Sequence, residues 1–280
     1  MDAPRIEFWK GHGTENDFVL LPDADGSVHG DLAPELVAAL CDRRAGIGGD
    51  GVLRVVRTAS YDDPAAVAAR SEAEWFMDYR NSDGSVSEMC GNGVRVFGRY
   101  LVEHECVDPN RPLRVGTRAG TRTLTFGRDL VSVDMGQPVV HGETKVSVGE
   151  RSWPALHVSM GNPHAVAFVS DLAEAGQLLE APGYDAGEFP DGVNVEFVVR
   201  RGPRHVAMRV HERGSGETRS CGTGACAVMV AAALADETAP GKTYHVDVPG
   251  GRLEVTWTEQ GRVELTGPAV LVARGEWLAK

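Results

Sequence analysis

The chain repeats itself once. Glu74 to Glu103 reads EWFMDYRNSDGSVSEMCGNGVRVFGRYLVE, and Arg204 to Ala235 reads RHVAMRVHERGSGETRSCGTGACAVMVAAALA. Each stretch runs from a strand through a Gly-containing turn to Cys-Gly-x-Gly and then a helix. The cysteines, Cys90 and Cys221, lie 131 positions apart in 280 residues, and a polar residue stands nine positions before each, Asn81 and Glu212. Two related halves are the simplest account. A boundary near Gly136-Gln137-Pro138 gives 1–136 with Cys90 and 137–280 with Cys221, and the terminal strand Ala269 to Ala273 is free to cross back to the first half.

Elsewhere, short segments rich in β-branched and aromatic residues recur between Gly, Asn and Asp turns, as at Ile6 to Trp9, Val52 to Val56 and Trp75 to Tyr79. Apolar spacings of three and four predict helices only over Leu32 to Arg44, Gly93 to Glu105, Leu172 to Glu180 and Gly224 to Ala235. Strands and helices do not alternate regularly, so the expected class is α+β rather than a doubly wound parallel sheet. Thr58 to Ala73, with Asp-Asp-Pro and several alanines, reads as an exposed insertion.

A cysteine at the start of a helix sits among unpaired backbone N–H groups and at the positive end of the macrodipole. That position favours the thiolate and makes the residue competent as a base near neutral pH. The glycines after it let a ligand carboxylate reach the exposed amides. A single such motif is more often a small hydrophobe at a tight turn. Two in equivalent places point to chemistry, because folding gives no reason to repeat a thiol. If the halves face each other, two thiols address one carbon from opposite sides: one removes an acidic proton, the other returns one to the opposite face, and backbone amides stabilise the developing enediolate.

Other chemistries lack support. With 28 Lys+Arg against 40 Asp+Glu the net charge is −12, which repels nucleic acid. No apolar stretch approaches the roughly 20 residues of a membrane span, the start carries charges of both signs where a signal peptide needs an apolar run, and five scattered cysteines do not form a disulfide framework. A cytoplasmic protein without membrane or nucleic-acid partners is expected. Gly46 to Gly51 satisfies G-x-G-x-x-G but follows a helix and opens a strand, the wrong order for a dinucleotide site. Phosphate-loop, zinc and nucleophile-elbow motifs are missing, and the histidines lack ligand spacing, so no metal is expected. Cys41, Cys106 and Cys226 read as core or inert.

Six motifs in order resemble the diaminopimelate epimerases across nearly the whole chain. They are Lys10-Gly11-His12 with Asn16-Asp17-Phe18, Asn81-x-Asp83-Gly84-Ser85 with Met89-Cys90-Gly91-Asn92-Gly93, Gly161-Asn162-Pro163-His164, Val193-Asn194-Val195-Glu196, Glu212-Arg213-Gly214, and Cys221-Gly222-Thr223-Gly224. The resemblance implies two pseudo-symmetric domains, each a β-rich sheet wrapped around a central helix. It implies interconversion of LL- and meso-diaminopimelate without a cofactor, on the route to lysine and peptidoglycan, and a homodimer. By the same resemblance Cys90 and Cys221 are the acid and base pair, with His164 and Glu212 tuning their protonation. Asn16, Asn81, Asn162 and Asn194 hold the distal amino-carboxylate end of the substrate with Arg213, while Gly91, Asn92, Gly222, Thr223 and Glu212 surround the reacting end.

Two positions depart from the family pattern. Glu15 stands where a small residue is common, and Gly51 follows Asp50 where some members carry a substrate-contacting Gln. The nearest rival is a proline or hydroxyproline epimerase of the same architecture, against which Asn92, the four asparagines and Arg213 favour a long substrate with a second polar end. A thiol–disulfide redox protein would place its cysteines close in sequence, and a pure binding module would not need two acid-base thiols.

Overall fold

The computed structural model describes residues 5–278. They divide into two compact units, one formed by residues up to Val133 together with those from Pro268 onward, the other by Asp134–Gly267. In chain order the first unit contributes β1 (Arg5–Gly13), β2 (Asn16–Pro22), α1 (Pro34–Cys41), β3 (Gly51–Arg57), α2 (Pro64–Ala69), β4 (Trp75–Asn81), α3 (Gly91–Glu103), β5 (Leu113–Gly116), β6 (Arg122–Phe126) and β7 (Leu130–Gly136), which leads the chain out of it. Then come β8 (Val139–Val148), β9 (Arg151–Ser159), β10 (Pro163–Phe168), β11 (Asn194–Gly202), β12 (His205–Glu212), β13 (Gly216–Thr218), α4 (Gly222–Ala235), β14 (Lys242–Val248), β15 (Gly251–Trp257) and β16 (Val263–Pro268). Finally β17 (Val270–Leu278) returns to the first unit, where it pairs antiparallel with β1.

The repeat in the sequence is a repeat of topology. In the first unit the strands run β17-β1-β2-β3-β4-β5-β6-β7, with parallel pairs only at β2/β3 and β4/β5. In the second they run β8-β9-β10-β11-β12-β14-β15-β16, with parallel pairs only at β10/β11 and β12/β14. A parallel neighbour needs a crossover, and in each unit the helix after the cysteine supplies the second one. The short β13 folds back on β12 and has no counterpart in the first unit.

Both crossover helices are central. α4 is Gly, Ala, Val, Met and Leu with one Thr and one Cys, apolar all round, as a helix enclosed by strands must be. α3 is more amphipathic, yet ten of its thirteen residues are buried. Gly98 lets α3 pack closely on β6, since a Cβ there would lie 2.5 Å from Leu124 Cδ2 and force that side chain to shift. The two helices also stop alike. Glu105 and Glu237 take the left-handed conformation, φ 55° and 49°, and the next N–H reaches back to the carbonyl five residues earlier, Cys106 to Leu101 and Thr238 to Ala233, both at 2.9 Å.

Three local expectations are corrected. Thr58 to Ala73 is no loose insertion: it holds α2, capped by Asp63 Oδ1 accepting from Ala65 N at 2.9 Å, and its Ala66 and Tyr61 pack with Val56 and Phe76. Leu172 to Glu180 forms only a 3-10 turn over Leu172–Ala175, because Gly176 leaves it at φ 65°. Cys106 is exposed just past α3, whereas Cys41 and Cys226 are buried as expected.

Candidate active site

In each unit the cysteine is the N-cap of its helix. Cys90 has φ −133° and ψ 123°, Cys221 φ −118° and ψ 115°, both extended, so each side chain turns back over the first turn. Gly93 N donates to Cys90 Sγ at 3.3 Å and Gly224 N to Cys221 Sγ at 3.4 Å. A sulfur thus takes the place usually held by a Ser or Asp oxygen.

Around Cys90 the chain assembles an asparagine pair. The β1–β2 hairpin turns through Thr14 and Glu15, both left-handed at φ 51° and 61°, which places Asn16 at the head of β2. Asn16 Oδ1 accepts from the Cys90 thiol at 3.5 Å and from Asn92 Nδ2 at 3.1 Å, while its Nδ2 donates to Asp50 Oδ2 at 2.7 Å. Asn92 is fully buried, and its Oδ1 accepts from Arg95 at 3.0 Å. Its side chain therefore orients Asn16 from behind.

Sequence reasoning missed what holds this corner. Asp50 and Asp17 are bridged by Arg43, at 2.7 Å to each, and Lys10 bonds Asp17 at 2.5 Å and the Gly48 carbonyl. Burial raises the Asp17 carboxyl, but the Arg43 and Lys10 hydrogen bonds outweigh it and hold the group well below the usual carboxylate range. Gly51 is obligatory, because a Cβ would lie 2.4 Å from the Arg80 carbonyl. No side chain fits at this position after Asp50 without moving the backbone of β4. Asn81 pairs with Gly51 across β3/β4 and donates to Ser85 Oγ at 2.9 Å, within a tight turn.

Around Cys221 the polar groups are more numerous. Thr223 Oγ1 lies 3.5 Å from Cys221 Sγ and accepts from Asn162 Nδ2 at 3.3 Å; Asn162 Oδ1 is 3.1 Å from His164 Nε2. His164 Nδ1 is 2.6 Å from Glu196 Oε1, and both residues are fully buried. Asn194 ties β10 to the turn after β12, donating to the Pro163 carbonyl at 3.1 Å and accepting from Arg213 N at 3.0 Å. Arg213 sends its guanidinium to the Asp191 carbonyl at 3.0 Å, and Glu212 accepts from Thr218 Oγ1.

One expectation about reactivity fails here. The helix N-terminus was expected to favour the Cys221 thiolate, yet burial, followed by the charges of Glu212 and Glu196, pushes the Cys221 thiol well above its ordinary value. Hydrogen bonds from Thr223 and Gly224 oppose this without overcoming it.

The family model described as diaminopimelate epimerase matches residues 8–141 and 156–272. The chain belongs to the diaminopimelate epimerase family. It is 60% identical to the diaminopimelate epimerase of Streptomyces coelicolor, covering 98% of this chain and 96% of that one, and 48% identical to that of Thermobifida fusca, covering 97% of each. Its fold is also that of a Bacillus anthracis phenazine biosynthesis protein of the PhzF family, with TM-score 0.72, 16% identity and 99% and 100% of the two chains covered. A hydroxyproline epimerase from Agrobacterium vitis with bound trans-4-OH-L-proline gives TM-score 0.68 at 16% identity, covering 99% and 92%. Membership of the family makes the chain an isomerase.

Proposed function

We propose that the protein interconverts LL- and meso-diaminopimelate with Cys90 and Cys221 as the acid and base pair, without a cofactor, in the cytoplasmic supply of lysine and peptidoglycan precursors. The observation that carries this reading is the duplication of one unusual device, a cysteine N-cap whose sulfur accepts an N–H from its own helix. One thiolate takes the α-proton and becomes a thiol. The electron pair left behind is delocalised into the α-carboxylate as an enediolate, which the amides at the helix starts, Gly91-Asn92 and Gly222-Thr223, are suited to bind. The other thiol gives its proton to the opposite face of the carbon and becomes the thiolate, so the roles exchange in the reverse direction.

The upward push that burial and Glu212 give the Cys221 thiol suits the donor half of this cycle. Glu212 adds negative charge near that thiol, and His164 reaches it through Asn162 and Thr223. Asn16, Asn81, Asn162, Asn194 and Arg213 are assigned to the distal amino-carboxylate of the substrate. Arg213, exposed at the turn after β12, suits a carboxylate by its forked donors.

The test is incubation of the reduced protein with LL-diaminopimelate in heavy water. Deuterium at the α-carbon together with the meso isomer is expected, and both are lost in Cys90→Ala and Cys221→Ala. Isomerisation that survives either substitution would remove the two-thiol mechanism, and absence of exchange in the unsubstituted protein would remove the substrate, with proline-type substrates next in line.

A further inference from the structure

The two units differ at one corresponding place beneath their cysteine-capped helices. In the first, Phe18 pairs with Gly51 across the parallel β2/β3 ladder and Leu53 stands two residues further along β3. In the second, His164 pairs with Asn194 across β10/β11 and Glu196 stands two residues further along β11. All four side chains are fully buried. A Cβ on Gly93 would lie 3.4 Å from both Phe18 Cζ and Leu53 Cδ2; a Cβ on Gly224 would lie 2.7 Å from Glu196 Oε1 and 3.3 Å from Cys221 Sγ. The architecture is thus satisfied at this position by an apolar pair. Burying an ionisable pair instead brings a desolvation cost and no evident gain in folding.

What the pair does supply is a polar route to the thiol. Contacts run from Glu196 Oε1 to His164 Nδ1 at 2.6 Å, His164 Nε2 to Asn162 Oδ1 at 3.1 Å, Asn162 Nδ2 to Thr223 Oγ1 at 3.3 Å, and Thr223 Oγ1 to Cys221 Sγ at 3.5 Å. Glu196 Oε2 is buried with no hydrogen-bond partner among the described residues, and burial pushes the Glu196 carboxyl up against the opposing pull of His164, beside the first turn of α4. Of the strands packed on α4, β10 brings His164, β11 Glu196 and β12 Glu212 to this corner. On the other strands packed on α4, His157 of β9 pairs with Glu188, Tyr244 of β14 with Asp236, Arg252 of β15 with Asp247, and His245 of β14 lies 4.0 Å from Glu254 of β15.

We propose that Glu196 is a positioning residue: it fixes His164 from behind and, lying against Gly224, holds Cys221 in the thiol form, so that a proton donor is in place at the second cysteine before substrate arrives. This rests on the two-cysteine reading above for its role in turnover, but not for its test.

The test is the pH dependence of iodoacetamide alkylation at each cysteine of the substrate-free protein, resolved by peptide mass mapping, with glutathione as a reference thiol in the same tube. In the unsubstituted protein the Cys221 inflection is expected above that of glutathione; an inflection at or below it overturns the proposal without any variant. In Glu196→Gln, shown folded by its melting transition, the Cys221 inflection is expected to fall by about one pH unit while the Cys90 profile stays in place. Glu196→Asp, which keeps the charge, restores the high inflection. An unmoved Cys221 inflection in folded Glu196→Gln reduces Glu196 to a packing residue and overturns the proposal. Because no substrate is present, failure of the diaminopimelate reading leaves this result standing, and the reverse holds as well.

Discussion

Asp50 sets the direction of Asn16: its Oδ2 accepts from Asn16 Nδ2 at 2.7 Å, which leaves Asn16 Oδ1 facing the Cys90 thiol at 3.5 Å. Asp50→Ala frees the amide to rotate and is expected to slow isomerisation by about tenfold, the scale of one misaligned polar contact near 1.4 kcal/mol. Kinetics with LL-diaminopimelate would check this, and unchanged turnover would show that Asn16 is oriented by Asn92 alone.

Asp17 links this corner to acid stability. Its folded-state carboxyl is held below its unfolded value by Arg43 and Lys10 against burial, so its contribution is present in full above about pH 4 and is lost as pH falls through the folded value. Asp17→Asn is expected to cost about 1.5–3 kcal/mol at pH 7, the range for hydrogen bonds to charged groups. Urea unfolding at pH 7 and pH 3 should show the gap between the two proteins narrowing on acidification; a constant gap would contradict the linkage.

The two cap glycines are expected to respond unequally to Ala. At Gly224 the new methyl meets a buried carboxylate oxygen at 2.7 Å and the substitution should destabilise by about 1–3 kcal/mol, as overpacking does. At Gly93 the neighbours are the tips of Phe18 and Leu53 and the Cys90 Cβ, at 3.3 to 3.4 Å, and the loss should be smaller. Equal losses in urea unfolding would argue against the carboxylate's position under α4.

Arg54 is paired at 2.7 Å with Asp23, both nearly inaccessible, and lies 5.0 Å over the Tyr61 ring. Arg54→Ala strands a buried carboxylate and should cost about 3–5 kcal/mol. Denaturant midpoints would read this directly, and a loss below about 1 kcal/mol would mean that water replaces the guanidinium.

Much of this was readable from the chain because the repeat is carried by residues whose conformation is demanding. Cys-Gly-x-Gly before an apolar run defines a helix start, and α3 and α4 begin there. What was not readable depended on partners distant in sequence. Lys10 and Asp17 stand in the first motif with no partner assigned from the sequence, and only the approach of the 42–50 turn to β1 and β2 makes them, with Arg43, a frame for Asn16. Glu196 was visible as an acid between Val195 and Phe197, but its meaning required the parallel register that sets it beside His164. The Thr58 to Ala73 segment misled because alanines next to Pro and Asp look solvent-facing, whereas Ala66 packs into a cluster closed by Tyr61 and Phe76.

The return of β17 to β1 gives the chain an order of assembly on the ribosome. The unit built from Asp134–Gly267 is contiguous and can complete itself during synthesis, while the earlier-made unit waits with β1 unpaired on one side until residue 278 has emerged. The half translated first is therefore finished last. During that interval the β1 edge is an open template for strand addition, and a nascent chain halted before β17 exposes it for as long as the halt lasts.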